Sequence, residues 1–242
     1  MQLYARLTSG HDARVAKALQ VLQQAAAEHA GRIVQASSLG AEDMVITDLV
    51  ARNRLGIALA TLDTGKLHPA TCGLLSRIAS HYGLAIEVVR PEAAALGAFV
   101  AQHGEEAMYR SIALRRACCG IRKLEPLSRM LAGRTAWVTG LRREQSAARE
   151  RVPLTTRDAE GRLKVNPLAN WTWADVWQYI GNHDVPYNPL HDRFYPSIGC
   201  EPCTRAITAG EDLRAGRWWW EDEKAKECGL HVPDGAGTGV AS

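Results

Sequence analysis

The sequence lacks the features that would direct a protein into a membrane or onto nucleic acid. It contains no apolar stretch of the length needed to cross a bilayer, and residues 1–6 lack the apolar segment of a secretory signal. Lysine and arginine form no dense block, and the net charge is only +3, so a nucleic-acid partner is not expected. We therefore expect a cytoplasmic protein that binds neither membrane nor nucleic acid.

Internal repeats and low-complexity tracts are also absent, apart from the small and polar residues at 235–242. Hydrophobic residues make up 46% of the 242 residues and charged residues 23%. These proportions are typical of a globular domain with a substantial core. The mild positive charge is compatible with a small anionic ligand held by a few arginines.

Disulfide bonds are not expected, because a reducing cytosol keeps thiols free. The chain nevertheless has six cysteines, and their uneven spacing is the most informative feature of the composition. They are a single Cys72, the adjacent Cys118 and Cys119, the CxxC pair Cys200 and Cys203, and Cys228 near the end. This grouping indicates metal and redox chemistry.

Strand and helix patterns alternate along most of the chain. Strands are predicted over residues 32–36, 56–62, 85–89 and 136–140, with short strands and turns between 151 and 171. Helices are predicted over residues 13–29, up to residue 54, and over 69–81, 105–131 and 172–182, the last with Thr172 as its N-cap. Such alternation predicts an α/β fold with a mostly parallel sheet flanked by helices. From residue 183 onward the chain is predicted to be loop-like.

A candidate phosphate-binding loop follows the first predicted strand. It spans Ser37 to Asp43, and it includes Ser38, Gly40 and Glu42. Backbone N–H groups at a helix start, together with serine hydroxyls, bind anions well. The loop has no Walker A lysine, and the alternative is an ordinary capped helix start.

Polar residues also follow two other predicted strands. Asp63-Thr64-Gly65 comes after the second strand, directly behind Leu62. A turn at 140–149 supplies the arginines Arg142, Arg143 and Arg149, which suit a phosphate or sulfate group. Because ligands of open α/β sheets lie beyond the carboxyl ends of the strands, we expect one shared anion site. The alternatives are that Asp63 caps the next helix and that the arginine turn is solvated.

The two cysteine pairs predict a metal or cluster site. Adjacent thiolates such as Cys118 and Cys119 are awkward ligands for one tetrahedral ion, whereas a four-iron cluster can take them on separate iron atoms. Structural zinc is the alternative for a lone CxxC. Arg122 and Lys123 follow at near-helical spacing and would offset thiolate charge, unless they simply form an exposed helix face. Cys72 lies mid-helix beside leucines and is predicted to be buried.

Cys228 has no neighbouring cysteine. A single thiol in a polar terminal segment suits a nucleophile that approaches a substrate and is then exposed again. The alternative is an incidental surface cysteine.

Taken together, these motifs resemble one family, the assimilatory adenylyl-sulfate and phosphoadenylyl-sulfate reductases. The match extends from about residue 32 to residue 231. Its most specific element is Glu227-Cys228-Gly229-Leu230-His231, which resembles the family's catalytic signature. The two cysteine pairs resemble the iron–sulfur branch, which acts on adenosine 5′-phosphosulfate (APS).

The resemblance implies a set of roles for particular residues. Cys228 would be the nucleophile, with Lys123 and His231 in the catalytic set. Cys118, Cys119, Cys200 and Cys203 would hold a [4Fe-4S] cluster. The substrate-binding residues would be Ser37, Ser38, Gly40, Glu42, Asp43, Leu62, Asp63, Thr64, Gly65, Arg142, Arg143, Arg149, Arg214 and Arg217.

The resemblance also implies an adenine nucleotide α-hydrolase-like fold. Residues 1–205 would form the nucleotide-binding domain with the cluster, and 206–242 a substrate-clamping, catalytic tail. The implied reaction is thioredoxin-dependent reduction of APS to sulfite and AMP through an S-sulfocysteine, in sulfate assimilation and cysteine biosynthesis. We also expect a homo-oligomer, although no residue pattern specifies one.

Three other functions stay open at this point. The first is reduction of the 3′-phosphorylated nucleotide. The second is an ATP-pyrophosphatase-type enzyme on the same fold, which would have no use for Cys228. The third is a non-enzymatic iron–sulfur or zinc sensor that binds a regulatory nucleotide.

Overall fold

The computed structural model describes Tyr4 and residues 6–221, and the structural statements below concern those residues. Six strands form one sheet in the order β3-β2-β1-β4-β6-β5. The strands are β1 (Ile33–Ser37), β2 (Ala58–Leu62), β3 (Ile86–Val89), β4 (Ala136–Val138), β5 (Thr155–Arg157) and β6 (Leu163–Val165). All neighbouring pairs are parallel except β5 with β6. The predicted α/β class with a mostly parallel sheet is confirmed.

Seven α-helices accompany the sheet within the described part of the chain. They are α1 (His11–Glu28), α2 (Ala41–Arg52), α3 (Pro69–Tyr82), α4 (Ala93–His103), α5 (Ile112–Cys119), α6 (Glu125–Leu131) and α7 (Trp173–His183). No helix there has both the length and the apolar character needed to cross a bilayer.

Successive residues of the strands face opposite layers of the molecule. Ile33 of β1 packs with α1, α2, α3 and α7, whereas Val34 packs into a second apolar cluster with α6. In β4, Val138 belongs to the same cluster as Ile33, and Trp137 belongs to the same cluster as Val34. The two-residue period therefore produces a sheet buried on both faces, as parallel sheets usually are.

Two helix predictions differ from the structure. The helix predicted over 105–131 begins at Ile112, and a π-helical turn, Gly120–Leu124, joins α5 to α6. Helix α4 was not predicted. None of its residues is buried, so its apolar side chains do not form the single stripe by which an amphipathic helix is found in a sequence.

Candidate active site

A deep cleft opens at the carboxyl ends of three central strands. Ser37 and Ser38 at the end of β1, Thr64 after β2, and Thr139 and Gly140 after β4 line its floor. Parallel neighbours end at the same edge of a sheet, so turns far apart in sequence meet there. The cleft is thus the place where the predicted polar turns come together.

The predicted phosphate loop is held closed by Asp43. The Asp43 carboxylate accepts hydrogen bonds from the Ser38 backbone N–H at 2.7 Å and from the Ser38 hydroxyl at 2.6 Å. Leu39 takes a left-handed conformation with φ of 61°, and its N–H donates to the Ser37 hydroxyl at 3.1 Å. Gly40 is the N-cap of α2 and supplies no side-chain hydrogen bond, and such a helix start offers N–H groups to an anion.

The loop's two carboxylates have opposite pKa shifts. Burial raises the pKa of Asp43 to about 6, more than its bonds to Ser38 lower it. Burial also acts to raise the pKa of Glu42, but the Arg142 guanidinium and a hydrogen bond from Gln145 outweigh burial and hold the pKa below its usual range. Glu42 is therefore a fixed negative charge beside the cleft, whereas Asp43 titrates near neutrality.

The arginine turn divides its three arginines between two directions. Arg142 and Arg149 are buried and line the cleft, and the Arg142 Nε donates to Glu42 at 2.9 Å. Arg143 does not line the cleft; it is exposed, and its Nε donates to the Val152 carbonyl at 2.8 Å. Two of the three arginines therefore line the cleft, and the third does not.

The second polar turn likewise has some residues that line the cleft and others that do not. Leu62 and Thr64 line the cleft, but Asp63 and Gly65 do not. The Asp63 carboxylate accepts from Arg90 at 3.0 Å and from the Gly65 N–H at 3.0 Å. The alternative that Asp63 caps the next helix is wrong, because the cap of α3 is a hydrogen bond from the Ala70 N–H to the side chain of His68.

The four cysteines of the two sequence pairs line a second, smaller cavity. Cys118, Cys119, Cys200 and Cys203 are all buried there and bear no disulfide. Lys123 and Cys200 line both this cavity and the cleft. The two cavities therefore share a wall, and the Thr64 hydroxyl lies 3.3 Å from the Cys200 sulfur at that boundary.

Cations surround the four thiols. Lys66, Arg115, Arg122 and Lys123 all line the small cavity. Burial raises the pKa of Cys203 to about 12 and that of Cys118 above its usual range. Burial alone would also raise the pKa of Cys200, but Lys123 and the Thr64 hydrogen bond lower it below the ordinary value. Within residues 4 and 6–221, no three His, Cys, Asp or Glu side chains are grouped so as to hold a metal ion.

The π-helical turn positions the basic residues of this wall. It inserts Gly120–Leu124 directly after Cys119, and π turns of this kind are frequent at functional sites. Arg122 and Lys123 are buried as a result, and the Arg122 Nη1 donates to the Thr64 carbonyl at 2.7 Å. The alternative of an exposed basic helix face is wrong.

Arg214 and Arg217 also line the cleft. The guanidinium of Arg217 lies 4.7 Å from the centre of the Trp218 ring and packs where a side chain at Gly199 would be. A Cβ on Gly199 would lie 2.3 Å from its Nη2. Because Gly199 has no side chain, Arg217 can occupy this space.

Sequence reasoning missed several residues that line the cleft. They are Thr61, Thr139, Gln145, Trp173, His191 and residues 196–199. Gln145 lies inside the arginine turn and residues 196–199 directly precede the CxxC pair, so proximity to recognised motifs is a signal for both. His191 lies in a loop-like segment without a motif, and nothing local in the sequence indicates its position.

Three predicted cysteine and histidine positions need separate mention. Cys228 and His231 lie outside the described residues. Cys72 was predicted to be buried but is exposed on α3, because the buried face of that helix is formed by Thr71, Leu74 and Ile78.

Fold and site define an adenine nucleotide α-hydrolase-like protein. Candida glabrata FMN adenylyltransferase has a similar fold, with a TM-score of 0.55 over 96% of this chain and 84% of that one at 14% identity. A solved Candida auris phosphoadenylyl-sulfate reductase in a phosphate complex has a TM-score of 0.67 over 84% of this chain and 98% of that one, at 26% identity.

Sequence similarity specifies the family. A family model described as the phosphoadenosine phosphosulfate reductase domain matches residues 32–206. A protein named adenosine 5′-phosphosulfate reductase from Allochromatium vinosum is 53% identical over 219 residues, which cover 90% of this chain and 85% of that protein. The chain belongs to the adenosine 5′-phosphosulfate reductase family.

Proposed function

We propose that this chain is an oxidoreductase that reduces APS to sulfite and AMP, as a step in sulfate assimilation and cysteine biosynthesis. The main observation in support is the wall shared by the cleft and the four-cysteine cavity, formed by Lys123 and Cys200. Membership of the family and the cations that line the cleft add to it.

The cleft suits a nucleotide that carries an acid anhydride. The start of α2 and the Ser37 hydroxyl suit phosphate oxygens, and Leu62 and Thr64 would contact the adenosine part. Arg149, Arg214 and Arg217, with Lys123, are arranged to neutralise phosphate and sulfonate charge as it develops. Arg142 contributes through Glu42, which it holds in place.

The chemical steps in the proposal begin with Cys228. Its thiolate attacks the substrate sulfur, the bond from that sulfur to the phosphate oxygen breaks, and AMP leaves with the electron pair. The product on the protein is an S-sulfocysteine. This covalent step divides one difficult reduction into two exchanges.

Reduced thioredoxin completes the proposed cycle. One of its thiolates attacks the Cys228 sulfur and displaces sulfite, and its second thiol then resolves the mixed disulfide. The dithiol supplies both electrons, so the atoms and charges balance. We place the protein in the cytoplasm, where thioredoxin is kept reduced. Assembly into a homo-oligomer stays a prediction.

The four thiols that line the small cavity are the donor type that an iron–sulfur cluster takes, with one thiolate on each iron atom, although they do not converge on one point as ligands of a single metal ion would. Four buried thiols ringed by cations would be held as thiolates by iron, and Cys118 with Cys119 would bind separate iron atoms. A [4Fe-4S] cluster bound there would supply structural and electrostatic support to the wall that it shares with the cleft. Visible absorbance, with iron and sulfide measured in equal amounts, would support this cofactor. A colourless protein that contains zinc would contradict it.

A serine substitution at Cys228 tests the proposal. We expect C228S to lose sulfite formation by several orders of magnitude, because an alcohol cannot form the S-sulfocysteine, while AMP binding is unchanged. C72S is the matched control, since it removes an exposed thiol that lies outside the cleft, and full activity is expected.

Mass spectrometry gives an independent result. Wild-type protein mixed with APS before any reductant should carry one sulfonate on Cys228, and C72S should carry the same adduct. Substantial sulfite release by C228S, or no adduct on the wild-type thiol, would contradict the mechanism.

Reduction of the 3′-phosphorylated nucleotide is the second candidate. Similarity to the Candida auris protein, named a phosphoadenylyl-sulfate reductase, favours it. The ratio of kcat/KM for the two nucleotides decides between the candidates, and we expect APS to have the larger value.

A further inference from the structure

We propose that His191 contacts the bound nucleotide and donates a ring N–H to a nucleotide oxygen. This role rests on the proposed nucleotide function of the cleft. It adds a substrate-contacting residue that none of the sequence motifs indicates.

The position of His191 is tightly fixed. It lies on the 3-10 turn Pro189–Arg193, is 1% exposed, and lines the cleft. The rings of Trp173 and Trp177 lie 5.9 and 5.3 Å from the imidazole and cross it at steep angles. A buried imidazole held between two indoles keeps its direction when a ligand arrives.

The hydrogen-bonding capacity of His191 is largely unused. Among the described residues neither Nδ1 nor Nε2 has a partner with full hydrogen-bond geometry, and the only backbone contact that influences the ring's pKa as a hydrogen bond is that with Tyr195. Buried polar groups are nearly always paired. An unpaired imidazole that lines a binding cleft is therefore best explained by a partner that arrives with the ligand.

The charge state of His191 suits a neutral donor. Burial lowers its pKa to about 4, against the opposing influence of Glu42, the Tyr195 backbone and Asp192. At neutral pH the ring is uncharged and has one N–H donor and one acceptor nitrogen. It would thus add a directional contact without adding another cation to a cleft that already has several.

The location of His191 limits which nucleotide atom can accept its hydrogen bond. His191 lies near Glu42 in the first turn of α2, so it faces the phosphate-loop side of the cleft. The acceptor is a nucleotide oxygen, which either the phosphate or a ribose hydroxyl supplies. The experiments below separate these two sources.

Imidazole NMR of the wild-type protein tests the contact directly. We expect saturating AMP to shift the 15N resonances of His191 and to fix one tautomer, while those of His183, which lies outside the cleft lining, do not move. Unchanged His191 resonances at saturating AMP would overturn the proposal. This measurement needs no variant to fold.

Affinity measurements supply the second test. H191F should weaken AMP binding by about three- to tenfold, the value of one neutral hydrogen bond, with the same melting temperature in APS-free buffer. H191N or H191Q, which keep an amide N–H, should recover part of the affinity. H183F is the control and should bind normally. Equal AMP affinity in wild type and a folded H191F would refute the contact.

The choice of ligand separates the sources of the oxygen. If the phosphate is the acceptor, H191F loses affinity for AMP but not for adenosine. If a ribose hydroxyl is the acceptor, the loss extends to adenosine and disappears with the deoxy-AMP that lacks that hydroxyl. Wild-type sulfite formation is measured in parallel, so that failure of the proposed function is seen separately from failure of the His191 contact.

Discussion

Gly140 lies against Glu42 and Asp43 of the phosphate loop. A Cβ at this position would lie 2.6 Å from the Asp43 Oδ1 and 2.9 Å from the Glu42 Cβ. Neither atom is the free end of a long side chain, so the loop itself would have to move. At the residue scale, the missing side chain at Gly140 allows β4 and the start of α2 to approach closely.

Alanine at Gly140 should therefore impair nucleotide binding. We expect G140A to raise the AMP dissociation constant at least tenfold, because displaced Asp43 no longer holds the Ser38 N–H and hydroxyl. Titration calorimetry with AMP measures the change.

A second glycine gives the control for this substitution. Gly73 is exposed on α3, and a Cβ there meets no atom within 4 Å. G73A should bind AMP normally and gain roughly 0.5–1 kcal/mol in the free energy of unfolding, because alanine favours helix. Normal AMP binding by G140A would show that the loop adapts without loss.

At the scale of elements, α7 begins with a reciprocal cap. The Thr172 hydroxyl accepts from the Asp175 N–H at 3.1 Å, while the Thr172 N–H donates to the Asp175 carboxylate at 2.8 Å. The helix packs Val176, Trp177 and Ile180 into the main core. The N-cap predicted from the sequence at Thr172 is confirmed, and it fixes where the helix starts against the sheet.

Loss of this cap should lower stability. T172A is expected to reduce the free energy of unfolding by about 1 kcal/mol, since the first turn loses its side-chain acceptor. Urea denaturation measures it. T156A, at an exposed position of β5, is the matched control and should change stability by less than about 0.5 kcal/mol. Equal effects of both substitutions would argue against the cap as the cause.

At the scale of the whole molecule, Asp175 connects the N-terminal part of the described chain to α7. Its carboxylate is fully buried and accepts from Arg14 at 2.6 Å and from the Thr8 hydroxyl. His11 lies 3.4 Å away. Thr8 thereby fastens the chain before α1 to α7, 167 residues further along the sequence, and Arg14 does the same for α1 itself.

Neutralising Asp175 should destabilise the whole fold. D175N is expected to lower the free energy of unfolding by about 3 kcal/mol, because it leaves Arg14 without its buried partner. D12N, at an exposed position in the first turn of α1, is the control and should cost a few tenths of a kcal/mol. Guanidinium denaturation at pH 7 compares them.

Acid provides a second test of the same carboxylate. Although burial acts to raise it, the pKa of Asp175 is held well below its usual range by Arg14, Thr8 and Thr172. The contribution of the Asp175 carboxylate to the free energy of unfolding is therefore fully present above the unfolded-state pKa of about 3.9. It is lost as the pH falls below that value. The stability difference between wild type and D175N should shrink between pH 5 and pH 2, and a constant difference would contradict the assignment.

The sequence by itself determined the fold class, because alternating apolar periods of two and 3.6 residues are local properties of the chain. It also showed that four of the cysteines occur as two pairs of near neighbours in the sequence. It showed as well which turns follow strands, and such turns meet at one edge of a parallel sheet. The N-cap at Thr172 was likewise predicted, since capping depends on residues three apart.

Only the tertiary structure decided which side of each turn a side chain faces. Arg142 lines the cleft while Arg143 points away, because successive residues of a turn point in different directions that the surrounding packing sets. The exposure of Cys72 and the place of His191 depend in the same way on long-range packing. No periodic pattern records such contacts, because the residues that make them are distant in sequence.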